Sequence, residues 1–506
     1  MSENLFTLLA ARFPQDLSTI FIERADGGGI SYADLLDSSA RLANTLVALG
    51  VTPGDRVAVQ VDKTPESVML YLACLRAGAV YLPLNPAYTA AEVRYFLGDA
   101  EPVLFVCDPR RLDEMAPIAR EIGVAHLETL DGNGEGSLTD RAAHAPAAFE
   151  DVARTADDLA AILYTSGTTG RSKGAMLSHG NLASNARTLK EEWRFGPDDR
   201  LLHALPIFHT HGLFVATNIT LMAGSAMIFL PAFDVGEIMR LLPRATVMMG
   251  VPTFYVRLLA RDDFGRGHAA HMRLFVSGSA PLSAETHKEF SARTGHAILE
   301  RYGMTETNMN TSNPYAGDRI PGSVGPALPG VEIRIADPAT GKVLPQGEIG
   351  VIEIRGPNVF KGYWRMPEKT KEEFRADGFF ISGDLGHVDE RGYVYISGRA
   401  RDLVISGGYN VYPAEVEAAI EAVPGVGECA VIGVPHADFG EAVVAVVVPK
   451  PGGAIDEQVI LSAIAGELAR YKQPKRVFVT TDLPRNAMGK VQKKDLRETY
   501  GNTFAA

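Results

Sequence analysis

Apolar positions along this chain fall into two alternating registers. Over residues 31–49 they recur at helical spacing (Leu35, Leu36, Ala40, Leu42, Leu46) and stop at Gly50. Pro53-Gly54-Asp55 reads as a turn, and residues 56–61 alternate as a strand does. Residues 65–77, closed by Gly78, predict a second helix. Residues 92–98 predict a short third one, with a strand at 103–107 after it. An apolar run at 159–163 reads as another strand. Beyond it the pattern predicts a helix at 213–222, a strand at 226–230, a helix at 235–242, strands at 246–250 and 272–276, and a helix at 283–294. Such alternation implies βαβ units and a largely parallel sheet. Residues 131–148, rich in Gly and Ala, read as a surface connection between two subdomains.

The character changes from Ile333. Residues 348–355 alternate with no helix nearby, which predicts a small antiparallel or barrel-like subdomain. Past Arg399 a second unit follows: helix 413–422, strands 429–434 and 442–448, helix 456–468 and strand 476–479. The expected fold is α/β. A large N-terminal domain (1–399) has mixed and parallel sheets flanked by helices plus the barrel-like subdomain. A small mobile α+β C-terminal domain (400–506) follows it. A chain of 506 residues is too long for one core, which agrees with this division.

Composition narrows the function. A net charge of −12 lacks the diffuse basic field of a nucleic-acid binder, so a polyanionic substrate must be drawn in by local cations. Cys74, Cys107 and Cys429 are far apart and form no CxxC pair, which points to neither zinc nor a disulfide framework. Met1-Ser2-Glu3-Asn4 has no basic, apolar leader pattern, and no apolar run reaches membrane-spanning length. Thr503-Phe504-Ala505-Ala506 is not a peroxisomal tripeptide. The expectation is a cytoplasmic protein with neither membrane nor nucleic acid as partner.

The stretch with chemistry in it is Tyr164-Thr165-Ser166-Gly167-Thr168-Thr169-Gly170-Arg171-Ser172-Lys173. Glycines let backbone N–H groups approach an anion, hydroxyls add donors, and the lysine adds a mobile charge. A polyphosphate cradle is implied. It is not a Walker A loop, which needs four residues between its first glycine and Gly-Lys-Ser/Thr. A solvated turn is the bland alternative.

This loop resembles the signature of the adenylate-forming superfamily: acyl- and aryl-CoA synthetases, luciferases and peptide-synthetase adenylation domains. The resemblance spans nearly the whole chain. It implies ATP, Mg2+, coenzyme A as co-substrate and an acyl-adenylate intermediate. Arg301-Tyr302-Gly303-Met304-Thr305-Glu306, read as following a strand end, resembles the family's Tyr-Gly-x-Thr-Glu motif. There the glutamate contacts magnesium–ATP and its neighbours flank the adenine. The resemblance thus assigns Glu306 and Thr165 to the metal. Ser277, Gly278, Ser279, Glu300, Arg301, Tyr302, Gly303, Met304 and Thr305 join Thr165, Ser166, Gly167, Thr168, Thr169, Gly170 and Lys173 in the nucleotide site. Ser382-Gly383-Asp384, read as a glycine turn, resembles the family's Thr-Gly-Asp motif, with Ser382 in place of threonine. Asp384 would take the ribose hydroxyls and Arg399 lie near ribose and phosphates. Pro484-Arg485-Asn486-Ala487-Met488-Gly489-Lys490 resembles the final motif, whose lysine bridges carboxylate and α-phosphate. Lys490 and Glu306 are the implied catalytic pair. Arg401 matches the hinge residue about which the small domain rotates, and Gly407 and Gly408 a loop lining the pantetheine tunnel. Lysine acylation at the matching position in related synthetases makes Lys490 a candidate for a lysine acetyltransferase.

The acid is read from two segments that help build the family's acyl pocket. His209-Thr210-His211 and Arg301 with Asn308-Met309-Asn310-Thr311 are polar and cationic, not fatty. A buried guanidinium offers a fork to a second carboxylate; pairing of Arg301 with Glu300 is the structural alternative. The combined text resembles malonyl-CoA synthetases, with His209, Thr210, Arg301 and Met309 facing malonate. Methylmalonate is a second substrate if Thr210 and Met309 leave room. Alternatives kept open are another short carboxylic acid and a stand-alone adenylation enzyme loading a carrier protein.

Overall fold

The computed structural model describes residues 2–25, 27–165, 172–406, 409–436, 438–453, 455–465, 467–486 and 489–504. Two large sheets dominate. One has eight strands in the order Asn308–Ser312, Leu299–Met304, Leu274–Ser277, Val247–Gly250, Arg200–His203, Ala226–Phe229, Ile20–Arg24 and Gly29–Ser31. It is parallel through its middle, and only the outermost pair at each end is antiparallel. The other has six: His126–Thr129, Leu104–Cys107, Arg56–Gln60, Val80–Pro83, Leu159–Thr165 and Lys173–Ser178. Its last pair is an antiparallel hairpin.

The punctuation seen in the sequence sets the helix ends. Thr64 caps Pro65–Ala77 through the Ser67 amide, Pro65 opens it, and Gly78 closes it in the left-handed conformation at φ 71. Ser31 and Asp34 form a capping box at the start of Tyr32–Ala48. Tyr32–Ala48 buries one flank, and Pro65–Ala77 is buried on all sides from Ser67 onward, in a single core shared by both large sheets.

The expected antiparallel piece is a four-stranded sheet of Glu332–Ala336, Gly350–Arg355, Phe380–Val388 and Val394–Arg399. Beyond it a five-stranded sheet is built around Val426–His436 and Gly440–Pro449. Its apolar clusters run from Val404 to Phe504 and share no residue with the core before them.

Three expectations are corrected. Residues 131–148 are more than a connection: Ser137–Ala143 is a helix with Leu138 and Ala142 buried. A short apolar stripe among small residues carries too little periodicity to be read. The helix expected at 213–222 is a π-helical stretch, His211–Thr217, running into the α-helix Asn218–Ala223. Third, Arg301 to Met304 and Ser382 to Asp384 lie inside strands, Leu299–Met304 and Phe380–Val388, not after a strand or in a turn. Their polar side chains hid the strand pattern because these strands present functional groups instead of an apolar face.

Candidate active site

The antiparallel hairpin of Leu159–Thr165 and Lys173–Ser178 pairs Thr165 with Lys173 on either side of the connecting loop. Ser166, Gly167, Thr168, Thr169 and Gly170 of that loop lie outside the described residues. Lys173 donates to Glu373 Oε1 at 2.9 Å, and its ammonium sits 4.1 Å from the centre of the Tyr363 ring. The Tyr363 hydroxyl reaches Glu373 Oε2 at 2.7 Å and Glu306 Oε1 at 3.1 Å. A continuous polar chain therefore links the loop lysine to Glu306. Glu306 is buried and has no ion-pair partner among the described residues; burial raises its pKa. Tyr363 and Glu373 were missed from the sequence.

Asp384 stands opposite Arg399 in the antiparallel ladder, and Gly383 before it takes φ 71. Arg399 Nε lies 2.6 Å from Asp384 Oδ1, and the Tyr302 hydroxyl donates to Asp384 Oδ2. Asp384 raises the Arg399 pKa, so that guanidinium is a fixed charge. A carboxylate has about four acceptor positions, so Asp384 keeps capacity for ligand hydroxyls.

Lys490 comes in from the other end of the chain. Its amide is held by Asn486 Oδ1 at 2.9 Å. Gly489 has φ 74, and a Cβ there would lie 3.1 Å from Thr253 Oγ1, so Gly489 rests against the helix Pro252–Leu259. Burial, then Arg399, pull the Lys490 pKa down to about 8 against the opposing pull of Asp384. Arg401 occupies the 3-10 turn Ala400–Asp402. Gly407 and Gly408 lie outside the described residues.

A second cluster lies between Leu274–Ser277, Leu299–Met304 and the start of the π-helical stretch. Thr210, His211, Ser277 and Arg301 are all buried. Ser279, in the left-handed region at φ 72, places its Oγ 3.3 Å from His211 Nδ1. Gly278 leaves room for the guanidinium: a Cβ there would come within 2.4 Å of Arg301 Cζ. Thr210 Oγ1, His211 Nε2, Ser277 Oγ, Arg301 Nε and Arg301 Nη2 have no hydrogen-bond partner among the described residues. Arg301 does not pair with Glu300. Neighbours on a strand point to opposite faces, and Glu300 Oε1 instead accepts from the Leu282 amide at 3.3 Å. Burial raises the Glu300 pKa to about 8. Burial pulls Arg301 down to about 9, which leaves it cationic at neutral pH. Burial, then Arg301 and Lys490, lower His209 to about 4; burial and Arg301 also hold His211 neutral. Met309 is buried with its thioether against Gly303.

A buried charge without a partner costs several kcal/mol. The cluster is thus built to receive an anion together with hydrogen-bonding oxygens. The nucleotide side suits Mg2+ as well. Among the described residues no group of three or more His, Cys, Asp or Glu is placed to cage an ion. Glu306 offers one unpaired carboxylate, the donor set expected where phosphates carry most of the ion's ligands.

The chain belongs to the AMP-binding enzyme family, whose model matches residues 6–364, with the AMP-binding enzyme C-terminal domain at 415–490. MatB from Rhodopseudomonas palustris, in its ATP-bound crystal structure, is 63% identical over 100% of both chains at a TM-score of 0.97. Its apo crystal structure superposes at 0.87. Among curated relatives, feruloyl-CoA synthase of Amycolatopsis sp is 38% identical over 94% of this chain and 95% of its own. Malonate–CoA ligase of Arabidopsis thaliana is 35% identical over 95% and 86%.

Proposed function

We propose that this enzyme is an acid–thiol ligase forming malonyl-CoA from malonate, ATP and coenzyme A. The observation that carries the choice of acid is the buried Arg301 guanidinium, with two nitrogens unpartnered among the described residues beside Thr210, His211 and Ser277. Malonate–CoA ligases stand among the relatives, and a short diacid supplies the missing counter-charge. Ferulate, the acid named for a relative of slightly higher identity, has no second carboxylate to meet the Arg301 guanidinium. Methylmalonate adds one methyl at the α-carbon and is the proposed second substrate.

In the first half-reaction one malonate carboxylate oxygen attacks the α-phosphorus of ATP and pyrophosphate leaves. The carboxylate and the triphosphate repel each other, and negative charge gathers on the α-phosphoryl oxygens. Lys490, reaching into the field shared by Arg399, Asp384 and His209, is the cation proposed to offset both. Arg399 and Asp384 hold the ribose side, and Lys173, first residue of the strand that follows the loop, is the cation proposed to meet the phosphates. Mg2+, where it accompanies ATP, neutralises phosphate charge; Glu306 and Thr165 are the residues proposed to hold it.

In the second half-reaction the coenzyme A sulfur attacks the malonyl carbonyl carbon and AMP leaves. A boundary at 399/400 with Arg401 as hinge lets the C-terminal domain withdraw Lys490 and bring Gly407 and Gly408 to the thiol. The better superposition on the ATP-bound than on the apo relative supports an adenylating arrangement here. Acetylation of Lys490 would neutralise the cation the first step needs.

The test is pyrophosphate release over C2–C6 mono- and dicarboxylic acids and ferulate, with and without coenzyme A. Malonate should lead, with thioester formed only when coenzyme A is present. Preference for ferulate or acetate, or transfer only to a carrier protein, would overturn the reading.

A further inference from the structure

The acid cluster rests on a second layer that joins the two large sheets. Lys63 follows the strand Arg56–Gln60 of the six-stranded sheet; His203 ends Arg200–His203 in the eight-stranded one. Lys63 Nζ lies 3.1 Å from His203 Nδ1 and 2.8 Å from the His203 carbonyl oxygen. It also sits 4.3 Å from the centre of the Phe229 ring. No carboxylate pairs with it among the described residues. On its far side His203 Nε2 is 2.9 Å from the Gly212 carbonyl oxygen, which also accepts from Thr217 Oγ1 at 3.0 Å.

The proton arrangement follows from the donors and acceptors. A carbonyl only accepts, so Nε2 carries the hydrogen; burial keeps the His203 ring neutral and pulls the Lys63 amine well below its ordinary range, so the bare Nδ1 accepts an N–H from Lys63. Lys63 therefore selects the tautomer of His203 that can hold Gly212. Gly212 belongs to the first turn of the π-helical stretch His211–Thr217, directly after Thr210. Its packing leaves no slack: a Cβ there would lie 2.1 Å from the Pro206 carbonyl oxygen. π-helical turns are rare and concentrate at functional sites.

We infer that Lys63 and His203 are positioning residues that lock the π-helical turn so that Thr210 and His211 face the acid. This deepens the proposed function and rests on it for the identity of the acid. The closing experiment uses the full-length enzyme and whichever acid the wild type activates best, so a wrong choice of malonate shows in the wild-type panel first.

Lys63→Met should raise KM for the acid about tenfold, the order of one net hydrogen bond, with KM for ATP within about twofold of wild type. His203→Gln keeps a donor toward Gly212 that no tautomer change can remove, so adding Lys63→Met to it should change KM for the acid less than about twofold. Nitrogen-15 NMR of labelled histidine should report the Nε2–H form for His203 in the wild type and a mixture in Lys63→Met. An equal effect of Lys63→Met in both backgrounds, a parallel rise in KM for ATP, an unchanged KM for the acid, or an Nδ1–H form in the wild type would each overturn the inference.

Discussion

The two halves of the site handle their polar groups in opposite ways. On the nucleotide side Asp384 is engaged by Arg399 and Tyr302, and Lys173 is tied through Glu373 and Tyr363 to Glu306. On the acid side Arg301, Thr210, His211 and Ser277 keep buried atoms with no partner among the described residues. A large ligand with many contacts can bind to groups already held in place by one another. A three-carbon acid has few atoms, and its recognition must come from groups whose hydrogen bonds and counter-charge it alone completes. The orphaned atoms thus point to the specificity pocket, and the ion-paired ones to the nucleotide frame common to the family.

This contrast orders the tests. Lys490→Ala, which removes the one cation proposed to join the halves, should lower the rate of adenylate formation by about 10²–10³-fold. Thioester formation from added malonyl-AMP should hold; rapid-quench assays of the two half-reactions separate them. Asp384→Asn leaves Arg399 with its charge uncompensated and should raise KM for ATP by roughly ten- to a hundredfold, with KM for the acid little changed. The pH profile comes next. Lys490 acts as a cation, and its pKa is lowered to about 8. Its charged form is therefore present below that pH and lost above it. kcat/KM for ATP should fall about tenfold per unit above pH 8, and Lys490→Arg should move that limb upward. Tyr363→Phe breaks only the link between Glu373 and Glu306 and should cost about two- to tenfold in adenylation, read from pyrophosphate release.

How much of this was legible in the sequence follows the same division. Helix Pro65–Ala77 was readable residue by residue, because Thr64, Pro65 and Gly78 are local signals with local causes. The motif residues Asp384, Arg399, Glu306 and Lys490 were found because the family resemblance fixes them. The strands under Arg301 and Asp384 were not seen, since their polar faces break the two-residue alternation. Tyr363, Glu373, Lys63 and His203 were invisible for another reason. Each gains meaning only from partners far along the chain, such as Glu373 with Lys173 and Lys63 with His203. The π-helical turn at His211–Thr217 likewise has an ordinary helical pattern; its register is set by packing against Pro206 and His203.

The most direct test compares malonate with propionate, which matches it in length but lacks the second carboxylate, in the wild type and in Arg301→Gln. The account predicts that kcat/KM for malonate falls by roughly ten- to a few-hundredfold, the cost of about 1.5–3 kcal/mol for a charge-assisted contact, while propionate changes far less. Equal losses for the two acids would make Arg301 a structural residue and contradict the account.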